Sequence, residues 1–317
     1  MNINKVLAAI MASLLLANSA YAGNKTGVTD SLNAGDSRVD LTYALVNISF
    51  SGTFTSSVTS AAQTAKGTVT QLGASYLFGM TDRLNIGVVL ALSQNSSAES
   101  SAMSGSNSIV ATSKAEGDGD PSIGVQYLLA DKKDGNMGLI VYGSYSPASA
   151  ASDPGSSEVK INGVVNQAGI TGKPGRGYTT TKMGLTYSTP IAMGDVFVDV
   201  NYLINGEKTV QGVTSKYGAT LGLVFGIESK LSDTATLRPY VRVVSQGSGY
   251  SGTDQLASNN EYGLGLVAIK DITRHFSIGV AGEYDSVNNR ETNYASGAKA
   301  TSSLSAYSLG LNGMFFF

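Results

Sequence analysis

The residues best suited to chemistry stand close together late in the chain. Arg238, Tyr240 and Arg242 recur at every second position, so an extended backbone puts two guanidinium groups and a phenol on one face. Between them lie the apolar Leu237, Pro239, Val241 and Val243. Acidic residues of matching parity occur in neighbouring segments, at Glu228, Asp199, Glu261 and Glu283, together with the cation Lys182. Arg turned towards lipid at mid-depth costs about 2–4 kcal/mol, so these charges belong on an inward face. The short turn at Ser232–Thr234 makes its flanking segments antiparallel and sets Glu228 opposite Arg238 to within about one residue pair. Arg238, Tyr240, Arg242, Glu228, Asp199, Lys182, Glu261 and Glu283 are therefore the candidate lumen lining, a polar constriction passing small solutes with weak ion preference.

Catalytic chemistry finds little footing. The single His, His275, directly follows the short turn Asp271–Arg274, away from the long connections where a surface substrate would arrive. The many serines lack a partnered base. With no Cys there is no disulfide, thiolate nucleophile or thiolate metal site. Glu116, Asp118 and Asp120 are spaced like the start of a calcium loop, but its closing Glu position is Tyr127; a solvated acidic loop is expected. Gly117-Asp118-Gly119 lacks the strand-to-helix setting of a phosphate cradle. Neither an enzyme, a cofactor nor a metal is expected. A net charge of -2 and the absence of a basic-aromatic patch argue against a nucleic-acid partner.

The elements that must position the inward charges are strands. The chain ends S-L-S-A-Y-S-L-G-L-N-G-M-F-F-F, with Tyr307, Leu309, Leu311, Gly313, Phe315 and Phe317 on one face. A strand ending on bare Phe suits the last strand of an outer-membrane barrel, where it carries the signal read by the insertion machinery. Charged residues are only 14% of the chain. Residues 1–22 read as a cleaved signal peptide: Lys5, an apolar run from Val6 to Ala17, then Ala20-Tyr21-Ala22. Residues 23–317 follow as one all-β domain, a transmembrane antiparallel up-and-down β-barrel of twelve strands. Short turns alternate with long polar connections at about 51–67, 96–117, 148–176, 247–259 and 287–301. This places short turns in the periplasm and long loops outside a Gram-negative outer membrane.

Aromatic residues mark two girdles. Tyr145, Tyr178, Tyr202, Tyr217, Tyr262, Tyr284 and Tyr307 fall at the long-loop ends of strands. Phe78, Phe225, Phe276 and Phe317 fall towards the short-turn ends, with Tyr127 and Tyr187. Glycines gather on the inward faces, either to relieve crowding or to leave a lumen. Asn162-Gly163 between Ile161 and Val164 signals a hairpin inside the longest connection. Two functions compete on this evidence: a channel for small solutes, or a closed barrel serving structure, adhesion or phage reception through its loops.

The segment G-D-G-D-P-S-I-G-V-Q-Y at Gly117–Tyr127, the acidic turn after it, and the strand L-I-V-Y-G-S-Y-S-P carry a family likeness. So do Lys182-Met183-Gly184-Leu185, Asn201-Tyr202 with Gly206-Glu207, and Tyr217-Gly218. Over roughly residues 115–290 the chain resembles the outer-membrane transporter family of the MetA pathway of phenol degradation. It departs at Ser146-Pro147-Ala148-Ser149, where the family often has Pro-Thr-Gly. The resemblance implies passage of small, often hydrophobic or aromatic, compounds, with outer-membrane lipid as surroundings and no catalytic residues to carry over.

Overall fold

The computed structural model describes Val28, Thr29 and residues 31–55, 60–104, 107–132, 137–149, 152, 153, 155–210 and 212–317. The expected signal peptide, and residues 133–136 of the acidic turn, lie outside these. The wall begins with β1 (Ser37–Thr55), β2 (Ser60–Gly79) and β3 (Leu84–Ser104). β4 (Asn107–Gly117) and β5 (Ser122–Ala130) share the next position, and β6 (Gly138–Ser146) follows. The connection after β6 carries β7 (Ser152–Asp153), β8 (Glu158–Ile161), β9 (Val164–Gln167) and β10 (Lys173–Pro174). β11 (Thr180–Ile191) and β12 (Gly194–Asn205) return to the wall, and β13 (Glu207–Val210) and β14 (Val213–Lys216) form a hairpin at its rim. β15 (Thr220–Ser232) and β16 (Ala235–Gln246) precede a smaller hairpin of β17 (Gly249–Ser251) and β18 (Asp254–Leu256). β19 (Asn259–Thr273), β20 (Phe276–Asn293) and β21 (Lys299–Phe316) complete a barrel of twelve antiparallel wall strands.

Closure is made by β1 against β21, in register from Arg38↔Phe316 to Thr55↔Lys299. The terminal residue joins it: Ser37 N donates to Phe317 O at 3.0 Å and Phe317 N to Ser37 O at 2.9 Å. No strand edge is left unpaired along this seam, as a membrane-spanning sheet requires.

Wall height is uneven. β1, β2 and β3 run 19, 20 and 21 residues and β20 and β21 run 18 each, against 9 for β6 and 12 for β11, β12 and β16. A tilted strand crosses the hydrocarbon layer in about 9–11 residues. Half of the wall therefore stands well beyond it.

The tall strands exchange their faces part-way up. In β1 the lower inward residues are Arg38, Asp40 and Thr42 and the outward ones Val39, Leu41, Tyr43 and Leu45. Above Leu45 the inward set becomes Val46, Ile48 and Phe50, while Asn47, Ser49, Ser51 and Thr53 point out. β2 and β21 do the same: Leu72, Tyr76 and Leu309 are exposed on the outside below, and Val69 and Leu304 are buried inside above. Outward polar groups there bond across strands, Thr64 to Ser101 at 2.9 Å and Thr68 to Asn47 at 3.1 Å. An apolar exterior needs lipid and a hydroxylated exterior needs water, so the exchange marks the edge of the hydrocarbon band.

This corrects the expected loops. Residues 51–67, 96–117 and 287–301 are largely β-strand, and the remaining two carry β7–β10 and β17–β18. When apolar residues move from one face to the other, their period-two phase slips by one residue, and continuous strand reads as broken pattern.

Candidate solute passage in the lumen

Parity within each strand fixes what reaches the lumen. On β16 the inward residues are Arg238, Tyr240 and Arg242; on β12, Phe197 and Asp199; on β20, Glu283 and Asp285; all are buried. Arg238 Nε donates to Glu228 Oε2 at 2.5 Å. Arg242 is a hub: its guanidinium meets Glu283 at 2.8 Å, Asp285 at 2.6 Å and Glu261. Tyr240 donates its hydroxyl to Glu283. Asp199 accepts from Thr186 Oγ1 at 2.7 Å, Asn201 Nδ2 at 2.8 Å and Tyr142 Oη at 2.9 Å. Arg38 Nε lies 3.0 Å from Asp40, which also accepts from Ser75 at 3.1 Å. The charges thus form a belt of separate groups around the interior, nearly every member committed to another.

Glycine makes room for this belt. A Cβ at Gly265 would come within 2.1 Å of the Tyr240 ring, at Gly226 within 2.5 Å of the Phe197 ring, and at Gly184 within 2.5 Å of the Tyr142 ring. At Gly263 it would meet Asp285 at 2.4 Å, and at Gly222 Asn201 at 2.7 Å. Each of these glycines is a seat in which a side chain from the adjacent strand lies flat against the wall. On the β20–β21–β1 side the inward glycines are open: at Gly310 and Gly279 the nearest atoms would be 3.8 and 3.6 Å away. The inward glycines thus do two jobs, by location.

Apolar layers flank the belt. Towards the short-turn end, Phe197, Val224, Val267, Ile269 and Met314 cluster with Tyr240, and Val28 packs against them. The lead into β1 therefore turns into the barrel mouth, where Thr29 Oγ1 lies 2.5 Å from Ser188 Oγ. Towards the other end Val46, Ile48, Val69, Val287, Leu304 and Ala306 form a second cluster. Against the first cluster, at Val28, Phe197 and Val267, lies a cavity of about 270 Å³, reaching from Arg38 and Asp40 past Tyr142 and Lys182 to Arg238 and Tyr240.

The structure brings all eight candidate lumen residues to the interior, seven of them buried and Lys182 half-buried. Of the girdle candidates, Tyr145, Tyr202, Tyr262, Tyr284 and Tyr307 are exposed on the outside, as are Phe78, Phe225 and Phe317. Tyr284 packs on Tyr307 at 4.9 Å and Phe276 on Phe315 at 4.8 Å between ring centroids. Tyr178 and Tyr217 are corrections. Tyr178 is only 5% exposed and lies in the bend ahead of β11, outside that strand. Tyr217 precedes β15 across the non-strand residues 217–219, so the parity of that strand does not reach it. The two rings instead contact each other at 5.6 Å. Burial, then the neighbouring Tyr217, holds the Tyr178 hydroxyl above the usual tyrosine range.

Asp120 is a second correction. It is buried, not solvated, and accepts from the Arg176 backbone N at 2.7 Å and from Arg176 Nε at 3.3 Å. Arg176 also donates to Ser146 at 2.6 Å and to Thr180 at 2.9 Å, tying the end of the long connection to the rim. His275 is exposed at its turn, with Nδ1 3.1 Å from Phe316 O. Sequence reasoning passed over Tyr142, Asp285 and the Arg38–Asp40 pair. Strand parity carried the signal for each, since all share the inward face of a recognised strand.

No model of a known protein family matches the chain, and no curated protein does. Solved structures do resemble it. An outer-membrane channel of Pseudomonas putida F1 superposes with a TM-score of 0.54 at 12% identity, over 91% of this chain and 98% of that one. The transport unit of the autotransporter AIDA-I of Escherichia coli gives 0.49 at 14% identity, over 97% of each chain. A FadL homologue of Pseudomonas aeruginosa gives 0.48 at 10% identity, over 94% and 93%. The fold is that of an outer-membrane β-barrel.

Proposed function

We propose that the chain is an outer-membrane channel for small solutes, with bodies that include hydrophobic or aromatic ones. The observation that carries this reading is the cavity of about 270 Å³ inside a closed barrel, with charged, hydroxyl and ring side chains lining it. The channel of Pseudomonas putida F1 that shares the fold, and the resemblance to the phenol-degradation transporters, support the same class. In this reading the tall hairpins face the outside of a Gram-negative cell and the short turns the periplasm. The terminal strand, which closes the seam against β1, is what the insertion machinery engages. The belt around Arg238 and Arg242 sets a weak ion preference.

Planar-bilayer recording of the purified, folded barrel tests this. Wild type should conduct in small discrete steps. The double variant Arg238→Ala with Arg242→Ala should conduct more and shift towards cations, because both positive groups leave an otherwise acidic belt. A second reading is a closed barrel acting in adhesion or phage reception. The apolar clusters on both sides of the belt favour it. Electrical silence of both wild type and double variant would overturn the channel reading in its favour.

A further inference from the structure

Among the described residues, Lys182 and Gln126 each present a donor without a hydrogen-bond acceptor to the same cavity. Lys182 Nζ has no carboxylate within ion-pair distance among the described residues; its one close neighbour is the Tyr142 ring, 5.7 Å from Nζ to centroid. The acid across the hairpin, Asp199, attracts Lys182 only from beyond ion-pair distance and already accepts from Tyr142, Thr186 and Asn201. Gln126 Nε2 is buried with no hydrogen-bond acceptor in reach. Register aligns these groups: Gln126 pairs with Tyr142, and Tyr142 with Gly184, one inward step from Lys182. The Tyr142 ring is fixed between them, seated on Gly184 and held by its hydroxyl on Asp199.

An ammonium in a low-dielectric interior is costly without a close counter-charge, and a neighbouring ring returns only a small part of that cost. The other cations on the cavity are taken, Arg38 by Asp40 and Arg238 by Glu228. The wall around the two donors combines apolar Leu77, Val89, Ile140 and Val267 with the hydroxyl-bearing Ser122, Ser144 and Thr186. We infer that this is a binding site for a small carboxylate with a ring-sized apolar body, its carboxylate bridging Lys182 Nζ and Gln126 Nε2 across the face of Tyr142. The inference rests on the channel reading for its purpose and sharpens that reading to anionic solutes.

Calorimetric titration of the detergent-purified barrel with benzoate, and with its neutral isostere benzamide, tests the site. Benzoate should bind at least about tenfold tighter than benzamide. Lys182→Gln should lose about that factor for benzoate while leaving benzamide within about twofold, and Lys182→Arg should retain the preference. Gln126→Ala should weaken benzoate by a smaller factor. Equal binding of the two probes to wild type, or binding of neither, overturns the site even where the variants fail to fold; so does a folded Lys182→Gln that keeps the preference. A wild type that conducts in bilayers without discriminating the probes overturns the site alone. One that discriminates them yet is electrically silent overturns the channel reading alone.

Discussion

The short wall and the tall wall solve opposite problems with the same alternating code. In the short wall, β11, β12, β15, β16 and β19 turn polar and ring side chains inward, and glycine on the neighbouring strand receives Phe197, Asn201 and Tyr240. In the tall wall, β20, β21, β1 and β2 keep open glycines low down and exchange faces above, so that the interior becomes Val46, Ile48, Val69 and Leu304. The first wall is filled by side chains lying along it and supplies most of the belt. The second is thin where it meets lipid and becomes an ordinary water-facing sheet above, with an apolar core. A strand therefore does not carry one inside and one outside for its whole length; the solvent at each height decides which face is apolar.

The largest effect separating the two regimes should come from one charge placed at two heights on β1. Leu41 and Ser51 are both outward, below and above the exchange. Leu41→Arg should cost about 2–4 kcal/mol of folded stability in lipid, whereas Ser51→Arg should stay within about 0.5 kcal/mol. Urea unfolding in lipid vesicles, followed by the loss of the heat-modifiable form, measures both. Comparable destabilisation by the two substitutions would remove the boundary drawn at Leu45.

The glycine contrast comes next. Gly265→Ala drives a methyl group into the Tyr240 ring, which cannot swing away without leaving Glu283; overpacking of this kind costs about 1–3 kcal/mol. Gly310→Ala meets only ordinary contacts, and in a strand the loss of glycine's backbone freedom makes it neutral or stabilising by about 0.5–1 kcal/mol. The same unfolding assay reads the pair. If both substitutions moved stability alike, the seats would be no more than a description of packing.

Much of this was legible in the sequence. Strand parity from Leu237, Pro239 and Val241 sufficed to turn Arg238, Tyr240 and Arg242 inward, because lipid penalises the alternative. Acidic partners followed from the same parity. Two kinds of information were not available. The exchange of faces in the tall strands looks like loss of pattern, since a one-residue phase slip cannot be told from a loop without knowing where the lipid ends. The pairing of residues distant in sequence, such as Tyr142 with Asp199 or Asp120 with Arg176, depends on which strands become neighbours. Tyr178 and Tyr217 failed for a smaller reason: an aromatic residue near a strand end reads as girdle, and only the break that sets it outside the strand says otherwise.

The two walls are joined by the connection from β6 to β11. It leaves the short wall, and its β8 pairs with β4 at the top of the tall wall, from Glu158↔Thr112 to Ile161↔Ile109. Its hairpin turns on Asn162 and Gly163, both at positive φ, and its far end is fixed by Arg176 on Asp120, Ser146 and Thr180. Asp120→Ala removes the buried acceptor at that anchor and leaves the β8–β4 pairing and the barrel seam intact. Global stability should fall by only about 1–3 kcal/mol, the range for a buried hydrogen-bonded partner. Local opening should change more than global unfolding, because the segment is held by few contacts at each end. Limited proteolysis of the folded barrel with a protease cutting after Lys and Arg should then cleave after Arg176 about tenfold faster than in wild type. Ser146→Ala should have a smaller effect, since it leaves Asp120 in place. Unchanged cleavage in Asp120→Ala would mean that the β8–β4 pairing alone holds the connection in place.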